Sequence, residues 1–265
     1  MRRMVKWLLL LSFTVMYIRS TAQNSVWIDL KFDTVLPDNK WKFLGEAYML
    51  FGNMKGTMGI DSLPAADVDA SAGDLLDHFK FGISIYFEAY KNKWAICTDI
   101  SYIKLGAEIR RDPHINSGEA VSRQLMFEAS GLRKLLSFLE LGVGLRLNSL
   151  KIEMDLNYNT SGGVKSAGRS LSETWVDPFV AARAKFNLLN DLLFLHVRGD
   201  IGGFGVGSDL AWGAQGYAGI RISRTFQASI GYRIISTDYE NGSRKDYFLY
   251  DVDEFGPVVR LGINF

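Results

Sequence analysis

Apolar and polar side chains alternate residue by residue along several stretches of the chain. The pattern is clear over Phe79–Tyr90, Asp191–Asp200 and Phe226–Thr237, where almost every second residue is apolar. Because successive side chains of a β-strand point to opposite faces, this alternation predicts strands with one apolar and one polar face. The sequence therefore predicts an all-β protein.

The length of these stretches favours a membrane barrel over a soluble sandwich. Strands of soluble sheets average ~5–6 residues, whereas tilted membrane strands need ~9–11. Many aromatic residues also stand near the predicted strand ends, where a membrane barrel has its interfacial girdles. These residues are Trp41, Phe51, Trp94, Tyr102, Trp175, Trp212, Phe226 and Phe265. We expect a single antiparallel up-and-down transmembrane β-barrel.

The connections between the predicted strands alternate between short and long. The short turns lie at 91–93, 133–137, 187–191 and 223–225. The polar, Gly-rich and mostly longer loops lie at 109–120, 158–172, 204–209 and 240–245. In outer-membrane barrels the short turns face the periplasm and the longer loops are extracellular. Within the first external loop, 61–78, the segment Ser71–His78 predicts one short helical turn.

The pattern gives ten strands, an even number, with both ends in the periplasm. They are 41–60, 79–90, 94–108, 121–133, 138–158, 173–187, 191–203, 210–222, 226–239 and 247–265. Eight or twelve strands are the alternatives. In 138–158 the polar face changes phase, which predicts a β-bulge near Ser149. Hairpins at Ser149 and at Gly52–Gly56 would instead give twelve strands, but would put long loops on the periplasmic side.

The first 22 residues have the three parts of a secretory signal peptide. Arg2, Arg3 and Lys6 give a basic start, Trp7–Ile18 is apolar, and Ser20-Thr21-Ala22 supplies small residues before a cleavage site at Gln23. The alternative is a transmembrane anchor, but the apolar run is shorter than the ~20 residues that a span needs. Residues 23–40 are then a periplasmic lead-in, and 41–265 form the barrel.

Composition excludes several other classes of protein. The formal net charge is +1, and no basic stripe indicates nucleic-acid binding. Cys97 is the only cysteine, so an exported chain has no internal disulfide. After residue 22 no apolar stretch approaches the length of a membrane-spanning helix, and the chain is too apolar to be disordered.

Charged residues on the polar faces of the strands predict a network inside the barrel. Strands of the first half supply carboxylates and strands of the second half supply mainly arginines. Because the two halves face each other, we expect salt bridges that largely close the lumen. The expected residues are Glu46, Glu88, Asp99, Glu128, Glu140, Asp177, Arg183, His196, Arg198, Asp200, Arg221, Arg233 and Arg260.

Other motifs give little support for catalysis or metal binding. Gly202–Asp209 is Gly-rich but lacks the lysine of a phosphate loop, so we interpret it as a tight external hairpin, with a calcium turn using Asp200 and Asp209 as the alternative. His196, Asp200 and Ser208 would make a hydrolase triad on paper, but His196 lies near mid-membrane, away from the outer rim. No histidine pair has ligand spacing. We therefore expect no catalytic residue, no metal and no cofactor.

Several motifs resemble a widespread family of largely uncharacterised Gram-negative outer-membrane β-barrel proteins. The motifs are Trp175-Val-Asp-Pro178, Arg198–Asp209, Gly231-Tyr-Arg233, Gly256-Pro-Val258 and the terminal Phe265, and the N-terminal half resembles the family too, over 41–59, 74–77 and 94–102. The resemblance implies a barrel fold and an outer-membrane location, without a known activity. Leu261, Ile263 and Phe265 are similar to the C-terminal signal read by the barrel-assembly machinery. The implied partners are that machinery, periplasmic chaperones, and outer-membrane lipid and lipopolysaccharide.

We expect a porin-like barrel without catalytic activity. Its lumen would be closed by salt bridges, and its role would be structural or that of a narrow channel for ions or small solutes. The alternative is an outer-membrane enzyme that acts on lipid or peptide at the extracellular rim.

Overall fold

A computed structural model describes residues 39–60, 65–109, 115–160, 163–243 and 247–265. The predicted signal peptide and most of the predicted lead-in lie outside the described residues. The chain forms a closed, antiparallel, ten-stranded barrel, which confirms the predicted fold and strand number. Its strands are β1 Lys42–Leu50, β2 Asn53–Ile60, β3 Ala66–Ala70, β4 Phe79–Lys91, β5 Trp94–Ile109, β6 Ile115–Lys134, β7 Leu139–Thr160, β8 Gly163–Leu188, β9 Leu193–Gly203, β10 Leu210–Arg221, β11 Phe226–Asn241 and β12 Phe248–Asn264.

β1 and β2 together form one strand of the barrel wall. β1 pairs with the C-terminal part of β12, and β2 pairs with its N-terminal part in the same register. β1 also pairs with β4, which closes the barrel. The short strand β3 pairs with β2 at the extracellular end and was not predicted from the sequence.

The predicted helical turn is present as α1, Ala72–Asp77. Ser71 is its N-cap, and the side chains of Ser71 and Asp74 form a reciprocal capping box. Hydrogen bonds from Ser71 lower the pKa of the Asp74 carboxyl, so this carboxylate stays ionised at a lower pH than a free aspartate does. The Ala72 amide also donates to Asn53 Oδ1, which ties α1 to β2.

The strands are strongly tilted. The tilt follows from the stagger of the pairing around the wall. Residues paired strand by strand, starting at Met54 on β2, lead around the barrel to Lys42 on β1. Because β1 and β2 form one strand of the wall, the row returns twelve residues lower than it started. A closed sheet with such a stagger has strands tilted by ~35–45°. Trp94 to Lys104 on β5 therefore covers about 25 Å along the barrel axis at ~3.3 Å per residue.

The lower part of the barrel has an apolar exterior and a charged interior. On β7, Leu141, Val143 and Leu145 are exposed on the outside, whereas Arg146 is 1% exposed on the inside. An apolar band about 25 Å tall is the outer surface of a transmembrane barrel. Because closed barrels of this kind span bacterial outer membranes, we place the chain there.

Above this band the arrangement is reversed, and the expected β-bulge near Ser149 is absent. β7 keeps one continuous register with β6 and β8 through Ser149. Leu150 is 3% exposed inside the barrel, whereas Lys151 points outward. The polar face changes because the strand leaves the membrane, so its outside meets water and its inside becomes apolar.

The same reversal corrects two other predictions. Trp175 was expected in an interfacial girdle, but it is 6% exposed inside the upper barrel, where it stacks on Tyr239. The expected loops 109–120 and 158–172 are largely strand, since β6 begins at Ile115 and β8 begins at Gly163. Their polar sequence reflects strands that rise above the membrane.

Candidate functional site

The interior of the lower barrel contains a group of four charges that we name the central cluster. It consists of Glu128, Arg146, Arg198 and Asp200. Arg146 donates to Glu128 from Nε at 2.7 Å and to Asp200 from Nη2 at 2.6 Å. Arg198 Nη2 donates to Glu128 at 3.0 Å and lies 3.7 Å from Asp200. Both guanidinium groups also lie over the ring of Phe179, at 5.4 and 5.5 Å.

Arg233 links the central cluster to Asp99. Its Nη1 atom donates to Asp99 at 3.2 Å and to the Tyr48 hydroxyl at 2.9 Å, while Nη2 lies 3.6 Å from Glu128. The Tyr48 hydroxyl in turn donates to Asp99 at 2.6 Å. β11 therefore reaches β5 and β6 on the opposite wall through one side chain.

A second group of charges lies nearer the periplasmic end. Arg183 contacts Glu88 across the barrel at 2.7 Å and Glu140 on the neighbouring strand at 2.6 Å. Lys185 binds the other oxygen of Glu88 at 2.6 Å. Tyr86 donates its hydroxyl to Glu88 at 2.7 Å. Glu88 is 2% exposed, so these bonds replace its hydration.

Glu46 and Arg260 form a third ion pair, at 3.0 Å between adjacent strands. Gln227 completes the coordination of Glu46 with a hydrogen bond of 2.8 Å. The Arg260 guanidinium lies 4.0 Å from the Tyr217 ring and 4.7 Å from the Tyr48 ring. Aromatic faces favour a cation held in this way.

Little space remains between these side chains. The lower lumen has a cavity of about 30 Å³ beside Glu88, His196 and Tyr217, which holds only a few water molecules. The gap between the central cluster, Arg233 and the β10–β11 wall is too small for a water molecule. The charged side chains therefore pack closely against this wall.

The upper lumen is filled by apolar side chains. Trp175 and Tyr239 stack with ring centroids 4.2 Å apart, and Phe248 and Tyr250 pack against the same indole. The rest of this upper core is Leu150 and Val252, with the partly buried Met54, Met58, Ile152 and Leu171. Two layers of different chemistry thus occupy the lumen, a charged one within the membrane and an apolar one above it.

Three residues expected in the charge network have other partners. Arg221 lies at the periplasmic rim, where it donates to the Asp191 backbone carbonyl and to Asn187; it contacts none of the expected carboxylates. Asp177 accepts from Ser208 and Asn148 rather than from an arginine. The ring of His196 lies 4.8 Å from that of Phe194, and within the described residues His196 forms no ion pair.

The sequence analysis did not include Arg146 and Lys185 in the network. Arg146 shares the inward face with Glu140, so the alternation on β7 held the signal for it. The expected division into one acidic and one basic wall excluded it, because β7 belongs to the acidic half. Tyr48 and Tyr86 were missed because an inward tyrosine has no signature in an alternating pattern.

Two motifs of the family resemblance meet in the middle of β8, just above the level at which its pairing with β9 ends. Asp177 accepts hydrogen bonds from the Ser208 amide at 2.6 Å and from the Ser208 hydroxyl at 3.0 Å. Ser208 belongs to the Gly-rich hairpin between β9 and β10, in which Gly203 and Gly205 have φ of +84° and +73°. The Trp-x-Asp-Pro segment thus holds the Gly-rich hairpin against the barrel wall.

The geometry brings no catalytic group together from the residues considered. Ser208 is bound to Asp177 and Asp200 is bound to Arg146, so neither orients His196. The alternative calcium turn needs Asp200 and Asp209 close together. Asp200 points into the lumen, where it binds Arg146, whereas Asp209 is exposed, so the two carboxylates do not form such a site. Among the described residues, no group of three or more His, Cys, Asp or Glu side chains could hold a metal ion. Within the same part of the chain, no helix is long and apolar enough to cross a membrane.

Comparisons with known proteins find similar folds. The sequence matches no protein-family model and no curated protein. Among solved structures, the chain is similar to the Yersinia pestis attachment invasion locus protein Ail, with 10% identity, a TM-score of 0.35, and coverage of 85% of this chain and 98% of that one. It is also similar to the Escherichia coli outer membrane protease OmpT, with 8% identity, a TM-score of 0.41, and coverage of 88% and 99%. A third structure is the P. putida toluene transporter TodX, with 8% identity, a TM-score of 0.36, and coverage of 87% and 91%. Identities and scores of this size do not carry a function over to this chain.

Proposed function

We propose that this protein is a non-catalytic outer-membrane barrel with a sealed lumen and a structural role. The observation that carries the proposal is the close packing of the central cluster with Arg233, since the gap between these side chains and the β10–β11 wall is too small for a water molecule. The barrel then serves to hold the extracellular end and the lipid-facing surface in place, and it does not serve as a pore.

The interior ion pairs contain equal numbers of carboxylates and cations. Six carboxylates and six cations take part in the interior ion pairs. The carboxylates are Glu46, Glu88, Asp99, Glu128, Glu140 and Asp200, and the cations are Arg146, Arg183, Lys185, Arg198, Arg233 and Arg260. Many ion-selective pores carry rings of side chains of one sign along their path. Here each cation of the network has a carboxylate partner and Asp177 is bound by Ser208 and Asn148, so the network replaces the hydrophobic core that a membrane barrel lacks.

The upper core argues in the same direction. An ion that entered from outside would first cross the layer of Trp175, Tyr239, Phe248 and Tyr250, which offers few polar groups. Apolar constrictions exclude water and ions even where they are not completely closed. A narrow channel, the other role expected from the sequence, would require both layers to rearrange.

An enzymatic role has less support from the geometry. Catalysis needs a nucleophile or base within reach of a substrate and groups that stabilise the developing charge. The buried carboxylates and Ser208 already have partners, and these partners are not solvent-exposed. We propose that the chain has no hydrolase site, and that the lumen groups serve stability.

The C-terminal strand supports a role for the barrel-assembly machinery during biogenesis. Leu261, Ile263 and Phe265 are 64%, 47% and 67% exposed on the outside of β12, which closes the barrel against β1. These side chains are therefore accessible as a signal before closure. We propose that the machinery and periplasmic chaperones handle this chain, and that it belongs with the barrel family it resembles.

Ion flux into proteoliposomes tests the sealed lumen. Vesicles that contain the refolded protein and a chloride-sensitive dye should respond to external chloride no faster than empty vesicles. A parallel assay with casein and a phospholipid should show no hydrolysis above the background. Rapid dye quenching would contradict the sealed lumen, and hydrolysis that is lost in Ser208→Ala would contradict the absence of catalysis.

A further inference from the structure

Three cations stand side by side on the outer surface of the barrel. Lys104 on β5 pairs with Arg123 on β6, and Arg123 pairs with Lys151 on β7. Directly opposite residues on neighbouring strands have Cβ atoms ~4.5–5.5 Å apart. The side chain of Lys80 on β4 lies against Gly106, two residues above Lys104 on the same face. We name Lys80, Lys104, Arg123 and Lys151 the basic stripe.

The basic stripe lies at the upper edge of the apolar band. Below it on β5 the outward residues are Tyr102 and Ile100, and below it on β6 they are Leu125 and Phe127. Trp94 to Lys104 covers the ~25 Å that the apolar band of a barrel occupies. The four cations are therefore at the depth of lipid headgroups in the outer leaflet.

The stripe has more positive charge than its neighbours neutralise. Like charges directly opposite each other destabilise a sheet. Glu153 forms ion pairs with Arg123 and Lys151. In the described part of the chain, no carboxylate lies within ion-pair distance of Lys80 or Lys104. One carboxylate among four cations leaves a net positive patch, which an external anion would stabilise.

Carboxylates above the stripe determine the direction from which that anion comes. Glu108, Glu119 and Asp155 form the next charged row on the same three strands, four residues further from the membrane. They repel a soluble polyanion that approaches from outside. An anion anchored in the membrane reaches the cations from the other side, with its acyl chains along Ile100 and Phe127.

Within the described residues, the corresponding end of β11 and β12 on the opposite wall has no comparable patch. Asp238 pairs with Asp251 at the corresponding end of β11 and β12. Burial and the nearby Asp251, Asp209 and Glu240 raise the pKa of Asp238, because the carboxylates disfavour one another's charge. An anionic headgroup would therefore bind on β4–β7 and not on this wall.

We propose that the basic stripe binds the phosphate groups of a phosphorylated outer-leaflet glycolipid of the lipid A type. Lys104 and Lys151 contact phosphate oxygens, Arg123 supports both, and Lys80 extends the site toward β4. This site is on the outside of the barrel and does not depend on whether the lumen is sealed.

Lipid binding to the purified, folded barrel in detergent tests the proposal. The probes are diphosphoryl lipid A, monophosphoryl lipid A, phosphatidylglycerol and inorganic pyrophosphate, with native mass spectrometry as the measurement. Diphosphoryl lipid A should bind most tightly. The double variant Lys104→Gln/Lys151→Gln should bind it ~tenfold or more weakly, since charge-assisted bonds to two phosphate oxygens are lost.

Two matched variants separate the site from general charge effects. Lys55→Gln/Lys93→Gln removes the same amount of charge from outside the stripe. Lys55 is paired with Asp253 and Asp69, and Lys93 lies in the periplasmic turn between β4 and β5. This control variant should bind lipid A as the unmodified protein does. Glu153→Gln keeps every cation and should tighten binding severalfold. Equal binding by the double variant and its control would overturn the proposal, as would weaker binding by Glu153→Gln. Competition by pyrophosphate as strong as by lipid A would overturn the assignment to a lipid.

Discussion

The carboxylate of Glu128 holds three buried arginines together, so its charge is the most informative one to remove. It accepts from Arg146 at 2.7 Å and from Arg198 at 3.0 Å, and it lies 3.6 Å from Arg233. The substitution Glu128→Gln keeps the size and shape of the side chain. It leaves three guanidinium groups around an uncharged amide, with Asp200 and Asp99 as their remaining carboxylates.

The expected cost follows from the burial of the group. Removing one partner of a buried ion pair destabilises a protein by ~3–5 kcal/mol, because the other charge remains without water or a counter-ion. Glu128 is 2% exposed, so we expect a value in this range. Glu153 is a matched control, since it also forms ion pairs with two cations but its side chain is 30% exposed. Exposed pairs contribute ~0–1 kcal/mol.

Urea unfolding of the protein in detergent micelles, followed by tryptophan fluorescence and by the shift of the folded band on gels, measures the difference. Glu128→Gln should lower the free energy of unfolding by ~3–5 kcal/mol, and Glu153→Gln by less than ~1 kcal/mol. Adding Arg146→Gln to Glu128→Gln restores the charge balance, so the double variant should lose less than the sum of the two single losses.

Two results would refute this reasoning. Equal losses for Glu128→Gln and Glu153→Gln would mean that the lumen is hydrated and screens its charges. Additive losses in the double variant would mean that Glu128 and Arg146 are not coupled, in contradiction to the bond between them.

Three further predictions concern the extracellular end and the topology. Trp175→Ala should destabilise the barrel by ~3–5 kcal/mol in the same unfolding assay, because the indole is the centre of the upper core; a loss below ~1 kcal/mol would contradict its buried position. Asp177→Ala should make the hairpin at Ser208 sensitive to protease added to intact cells, since that hairpin loses two hydrogen bonds; unchanged resistance would show that the hairpin is held by other contacts. A cysteine at Asn241 should react with a membrane-impermeant maleimide on intact cells, and one at Lys93 only after permeabilisation; the reverse pattern would invert the orientation.

The alternation of side chains was sufficient to predict the barrel, because a membrane strand must separate an apolar and a polar face along its whole membrane span. Phe79–Tyr90 was predicted as a strand, and β4 covers Phe79–Lys91. The short turn at 91–93 likewise lies between β4 and β5. In these segments one physical requirement determines both the pattern and the structure.

The same pattern was misread where the strands leave the membrane. Leu150 and Ile152 suggested a register shift, because the polar face of a membrane strand normally points inward. The structure keeps the register and changes the environment. A reversal of polarity without a turn signal marks the level at which the outside of a barrel strand passes from lipid to water.

The pairing of the lumen charges depends on stagger and side-chain length, which periodicity does not contain. Alternation places Arg233 and Asp99 inside the barrel, but the contact between β11 and β5 depends on the twelve-residue offset around the wall. Arg221 faces the same side of its strand, yet it lies too close to the periplasmic turn to reach the acidic residues. Whether an inward arginine joins the charge network therefore depends on its distance from the periplasmic turn.

Single-channel recording in planar bilayers tests the sealed lumen most directly. The unmodified protein should insert without producing a stable open current, because the central cluster and the upper core both block the path. The variant Arg146→Ala/Arg198→Ala/Trp175→Ala removes side chains from both layers and should give discrete, resolvable openings. A steady conductance from the unmodified protein, unchanged in the triple variant, would contradict the account.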